Sequence, residues 1–137
     1  MEASQIFGLD VGHKRIGVAR ASSAAMLAEP LLTISTTGGL NRLQELIKEH
    51  NAKTLVVGLP RNLHGDDTSQ TTWVRDWVDK AKKQIGLPFY WQDEALTSAI
   101  AEAKLQTGKK SPDVDSLAAA VILQDFLDAP EGDRVLC

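Results

Sequence analysis

The segment Ile6-Phe7-Gly8-Leu9-Asp10-Val11-Gly12 limits the fold more than any other stretch, because it sets an acid inside an apolar strand. Side chains alternate along a strand, so Phe7, Leu9 and Val11 share one face while Ile6, Gly8 and Asp10 share the other. A buried carboxylate left alone costs on the order of several kcal/mol. The fold must therefore bring Asp10 a partner, either a cation held with other acids or an ion pair with Lys14 or Arg15. Gly8, Gly12 and Gly17 leave room for another backbone or a phosphate to approach, and equally suit a tight hairpin with two exposed basic residues.

The same alternation continues. Arg15-Ile16-Gly17-Val18-Ala19-Arg20 is close enough to pair with the first strand, and Leu31-Leu32-Thr33-Ile34-Ser35 predicts a third, giving an antiparallel meander. Leu40, Leu43, Leu46 and Ile47 mark one face of a crossover helix over Gly39 to His50. Thr54-Leu55-Val56-Val57-Gly58 is a strand buried on both faces, which Leu59-Pro60 predicts to stop. A second helix runs from Thr68 to Gln84, and Phe89-Tyr90-Trp91 makes a fifth strand closed by Asp93-Glu94. A helix from Leu96 to Gln106 and a basic loop, Lys109-Lys110, lead to a last helix that starts at Ser111-Pro112-Asp113 and ends near Leu127. The order β-β-β-α-β-α-β-α-α is that of an α/β fold.

At 137 residues, 43% of them hydrophobic, the chain builds one core, not two. Its net charge of −3 argues against coating nucleic acid by basicity. That charge is concentrated from residue 125 onward, where four acids face Arg134 alone, so the body before it is neutral. The division is a domain over 1–128 and an acidic tail over 129–137, expected to fray. Cys137 is the one cysteine, which excludes a disulfide framework and a thiolate zinc site within the chain. No signal-like or membrane-spanning run is present, so a cytoplasmic protein without a membrane partner is expected.

Three acids stand apart from the other carboxylates: Asp10, Glu94 just past a strand's carboxyl end, and Asp115 in the first turn of the last helix. If they converge, they form an all-oxygen donor set suited to Mg2+ or Mn2+, and so to phosphoryl chemistry that needs no nucleophilic side chain. Asp115 could instead complement the helix dipole, a duty Asp113 fills equally well. Arg61, Asn62 and His64 could touch phosphate, or could belong to a turn-rich connection. The histidines at 13, 50 and 64 have no metal spacing, and His50 reads as an exposed helix cap. Trp73 and Trp77, four apart, read as core more than as a base-stacking platform.

The stretches Gly8-Leu9-Asp10-Val11-Gly12-His13-Lys14-Arg15-Ile16-Gly17-Val18-Ala19, Val56-Val57-Gly58-Leu59-Pro60-Arg61-Asn62 and Asp115-Ser116-Leu117-Ala118-Ala119-Ala120-Val121-Ile122-Leu123-Gln124 occur in the order of one known family. The chain resembles the YqgF (RuvX) family of RNase H-like proteins, described as Holliday-junction resolvases and as nucleases for pre-16S ribosomal RNA, from about Ile6 to Leu127. The resemblance implies an RNase H-like five-stranded mixed sheet, three antiparallel strands followed by two crossover strands, flanked by helices. It also implies Asp10, Glu94 and Asp115 as an acidic site holding Mg2+ or Mn2+. Ala95 stands where the family usually carries an arginine, and His64-Gly65 replaces its usual residues in the loop.

The leading expectation is a two-metal-ion endonuclease acting on structured RNA or branched DNA, with 5′ processing of pre-16S rRNA favoured by resemblance over junction resolution. Lys14, Arg15, Arg61, Asn62, Lys109 and Lys110 are its expected nucleic-acid contacts, and ribosomal assembly intermediates its further partners. The alternative is a non-catalytic RNase H-like protein that binds nucleic acid or the ribosome. A nucleotide-binding protein of the actin and sugar-kinase type needs two domains, which this length does not supply. Monomer and homodimer both remain open.

Overall fold

In the computed structural model, which describes residues 4–62, 64–95 and 113–137, strand β1 (Gln5–Val11) turns back into β2 (Arg15–Ser22) and β3 (Glu29–Ser35) completes the meander. Helix α1 (Gly39–His50) crosses to β4 (Ala52–Arg61), parallel to β1, and α2 (Ser69–Gln84) crosses to β5 (Phe89–Ala95), parallel to β4. The helix expected from Leu96, the loop lysines Lys109 and Lys110, and the Asp113 side chain expected as a cap lie outside the described residues. Helix α3 (Asp113–Asp128) follows, then a short 3-10 turn (Glu131–Asp133) and β6 (Val135–Leu136). The result is a mixed sheet in the order β3-β2-β1-β4-β5-β6, with one strand more than expected.

Alternation along β1 divides the core as its sequence predicts. Phe7, Leu9 and Val11 pack with Leu43, Leu46, Val74, Trp77 and Val78 under α1 and α2. On the other face, Val56, Ala19 and Ala21 pack with Ala119, Ile122, Leu123 and Phe126 of α3. Leu123 and Phe126 are almost wholly buried, each worth about 1.5–3 kcal/mol against exposure. A methyl at Gly8 would lie 2.6 Å from the Leu123 Cβ and 2.9 Å from the Ala119 carbonyl oxygen, so β1 has room for α3 because it lacks a side chain there.

Three local expectations need correction. Strand β4 runs through Pro60 to Arg61, past the stop that the missing donor predicts. The Pro60 carbonyl accepts from the Thr71 hydroxyl, away from β5, and a residue's N and O point to the same side of a strand. The missing N–H therefore falls outside the β4–β5 ladder, where the β1 pairing has already ended at Leu9–Val57. Strand β5 likewise continues through Asp93 and Glu94, paired with Leu59 and Pro60, so Glu94 lies within the strand and not beyond it.

The acidic tail, predicted to fray, instead docks on the open edge of β5. Val135 pairs with Trp91 and Leu136 with Tyr90, and the Cys137 N–H donates to the Phe89 carbonyl at 2.8 Å. The Arg134 guanidinium lies 4.5 Å from the Phe126 ring centroid, which anchors the tail to α3. An edge strand's unpaired backbone groups offer hydrogen bonds to any neighbouring extended segment, and the tail supplies one.

Candidate active site

Asp10 faces the α3 side of the sheet, and its cross-strand partner on β2 is Gly17. Cross-strand partners share a face, and at Gly17 the absent side chain is replaced by the backbone of α3: a methyl there would run directly into the Asp115 carbonyl. Asp115 is thus seated on the strand neighbour of Asp10. The β1–β2 turn beneath it is braced by the residue that follows β3, since the Thr36 hydroxyl donates to the Gly12 carbonyl at 2.7 Å and the Thr36 N–H to the Lys14 carbonyl at 3.0 Å. The Gly12 N–H donates to the Arg15 carbonyl at 2.9 Å, closing the turn.

Glu94 reaches the same face by register. Gly8 pairs with Val56 and Val56 with Tyr90, all on the α3 side, and steps of two along β4 and β5 lead to Pro60 and Glu94. The Glu94 residue is 6% exposed, an acid drawn deep into the sheet edge. The three acids proposed from sequence therefore share one face at the carboxyl end of the central strands. In kind they fit a hard divalent cation: three carboxylates with no histidine or sulfur among them. They are not drawn into a tight cluster, because among the described residues no three His, Cys, Asp or Glu side chains gather closely enough to hold a metal.

Arg15 engages one of the three. Its Nε donates to Asp115 Oδ2 at 2.8 Å, an ion pair between residues 100 apart in sequence. The guanidinium expected to meet Asp10 or a phosphate is in contact with the third acid. Lys14 beside it is exposed.

Arg61 stands at the same sheet edge but on the α2 side, because it alternates with Pro60. Its Nε lies 3.2 Å from Asp67 Oδ1 and its Nη1 3.2 Å from Asp93 Oδ2, and Arg75 Nε reaches Asp67 Oδ2 at 3.2 Å. Arg75 also lies over Trp91, 5.5 Å from its centroid. Asn62 organises the loop: its Oδ1 accepts from the N–H groups of His64 and Asp66, and its own N–H donates to the Asp66 carbonyl. Of the two readings of this segment, these bonds support the turn-forming one for Asn62. Asp67 and Arg75 carry no signal in a linear motif and emerge only when α2 folds over the β4 edge.

The aromatic residues are mostly structural, with one addition. Trp77 is buried, while Trp73 packs against the core and carries the exposed His13 ring stacked on it at 4.3 Å with 16° between planes. His50, read from sequence as exposed, is half-buried, bonded to Arg20 Nη1 at 3.3 Å and set edge-on to Phe7.

Comparison with known proteins shows the family and the fold. A family model described as "RuvX: Holliday junction resolvase" matches residues 4–129. Proteins of Roseiflexus sp. (strain RS-1) and Lactococcus lactis subsp. lactis (strain IL1403), both named "Putative pre-16S rRNA nuclease", are each 40% identical over 136 residues. The matches cover 93% and 92% of this chain, and 96% and 95% of the relatives. In solved structures, Thermus thermophilus RuvC bound to a Holliday junction substrate superposes with a TM-score of 0.61 at 19% identity, covering 98% of this chain and 99% of the other. A second Thermus thermophilus RuvC structure gives 0.60 at 20% identity, covering 97% and 99%.

Proposed function

Since the chain belongs to the RuvX family of Holliday junction resolvases, we propose that it is a metal-dependent endonuclease for structured nucleic acid, acting foremost in 5′ processing of pre-16S rRNA. The observation that carries this reading is the common face of Asp10, Glu94 and Asp115, with Asp115 seated on Gly17 beside Asp10. Asp10, Glu94 and Asp115 would hold Mg2+ or Mn2+, which would activate a water and stabilise the leaving oxygen of a phosphodiester. Lys14 and Arg15, next to that face, position the backbone phosphates, with Lys109 and Lys110 as further contacts. Arg61 acts from the α2 side of the edge with its guanidinium fixed by Asp67 and Asp93, while Asn62 shapes the loop beside it. The nuclease works in the cytoplasm as monomer or homodimer and meets its RNA in ribosomal assembly intermediates; no helix of the described residues is long and apolar enough to cross a membrane.

Purified protein and its Asp10→Asn variant, incubated with pre-16S rRNA fragments and with four-way DNA junctions in Mg2+ or Mn2+, test the reading. Cleavage by the wild type and a drop of at least about a hundredfold in the variant are expected, from loss of a metal-held carboxylate. Equal activity in both would sink the assignment. The Arg15–Asp115 ion pair favours one second reading, a nucleic-acid-binding protein without cleavage. Retained RNA binding with no cleavage by wild type in either metal would select it.

A further inference from the structure

The contact between Arg15 and Asp115 has a chemical consequence for the proposed metal site. A carboxylate shares a limited negative charge among its partners, and Asp115 already gives Oδ2 to a guanidinium at 2.8 Å. Arginine stays protonated at every accessible pH, so its competition with a second cation is not removed by titration. The pair is held from both sides: Gly17 fixes the first turn of α3 against β2, while Thr36 and Gly12 brace the turn that leads into Arg15. Asp115 is mostly shielded, with 18% of its side chain exposed, whereas the Arg15 side chain is 55% exposed and free to swing outward. The longer and more exposed Arg15 side chain is the member with room to leave the pair.

Building on the metal-dependent reading above, we propose that Arg15 is the built-in counter-ion of Asp115, competing with the divalent cation for that carboxylate. Arg15 is thus a positioning residue for the metal ligand while it is paired, and a phosphate contact when it swings away. The exchange keeps the charge near Asp115 balanced before the cation enters. It also places a released guanidinium beside the face where the phosphate must lie. No bond is made or broken beyond this ion-pair exchange. The competition follows from the charge of residue 15, so a lysine there preserves it and a glutamine abolishes it.

Mn2+ binding to the full-length chain without nucleic acid, followed by electron paramagnetic resonance of the free ion, gives a readout independent of cleavage. Arg15→Gln is expected to bind Mn2+ about 1.5- to fivefold more tightly than wild type, the scale of one exposed ion pair. Arg15→Lys is expected to stay near wild type, and Asp115→Asn to weaken binding with arginine or glutamine at 15. In the same Arg15→Gln protein, the log-log salt slope of RNA binding should fall by about one. Unchanged or weaker Mn2+ binding in Arg15→Gln, while the wild type binds, overturns the competition and leaves the metal site standing. Mn2+ binding absent from both proteins overturns the metal site and this proposal together. Circular dichroism melts of each variant separate loss of fold from loss of metal.

Discussion

Gly17 shows how a single missing side chain can set a site. A methyl there meets the Asp115 carbonyl and the Ser116 N–H, both backbone, so either β2 or α3 must shift. At Gly58 the obstacle is the end of the Ile122 side chain, which can rotate away. Gly17→Ala is expected to cost about 1–3 kcal/mol in urea unfolding, the scale of overpacking. It should also lower Mn2+ affinity and cleavage by about tenfold or more, because a 1 Å misplacement can cost that much. Gly58→Ala should cost stability with a smaller loss of activity; equal activity losses in the two would show that the seating of Asp115 is not special. At this scale the sequence was informative about Asp10, whose face follows from a period of two. It was silent on Arg15–Asp115, since no local pattern joins residues 100 apart. It was also misleading on Glu94, whose burial depends on how far β5 extends along β4.

Elements were legible where they carried their own periodicity. The meander, α1, α2 and α3 all follow from repeats of apolar residues, and the Thr68 cap of α2 completes a capping box with Thr71. Ends were less legible, because they depend on neighbours: β4 tolerates Pro60 only at a position where its N–H has no ladder partner, and β6 exists only because β5 leaves an edge open. The docking of β6 has a chemical signature. Burial pushes the Cys137 thiol up to about 12, against the opposing pull of Lys82 and Arg75. A raised thiol pKa means that the folded state keeps its proton, so this contribution to stability is intact below about pH 9 and fades as pH climbs toward 12. At pH 8.5, iodoacetamide should therefore alkylate Cys137 about ten- to a hundredfold more slowly in the folded protein than in urea. Equal rates would mean that β6 is undocked in solution.

For the whole molecule, the acidic balance is a matter of position more than of sum. The chain carries −3, and the excess lies from residue 125 onward, while Asp115 belongs to the first turn of α3 and Asp128 ends it. At 1.5 Å per residue these ends are about 20 Å apart, beyond the roughly 8 Å over which exposed charges act at physiological salt. Asp115 is thus screened from that excess, while Asp133, two residues before the Val135–Trp91 pair, lies nearer in register to Glu94 than any other acid of the tail. Deleting the tail would test this badly, because Arg134 anchors on Phe126 and β6 pairs with β5. Neutralising Glu131 and Asp133, both exposed in the 3-10 turn, removes charge and keeps the docking. The double variant Glu131→Gln, Asp133→Asn should bind RNA within about twofold of wild type at 0.15 M salt, with the same salt slope. Fluorescence anisotropy across a salt series measures both quantities. A tenfold gain in affinity would mean that the tail's field reaches the acidic face, and that the separation along α3 does not insulate the site.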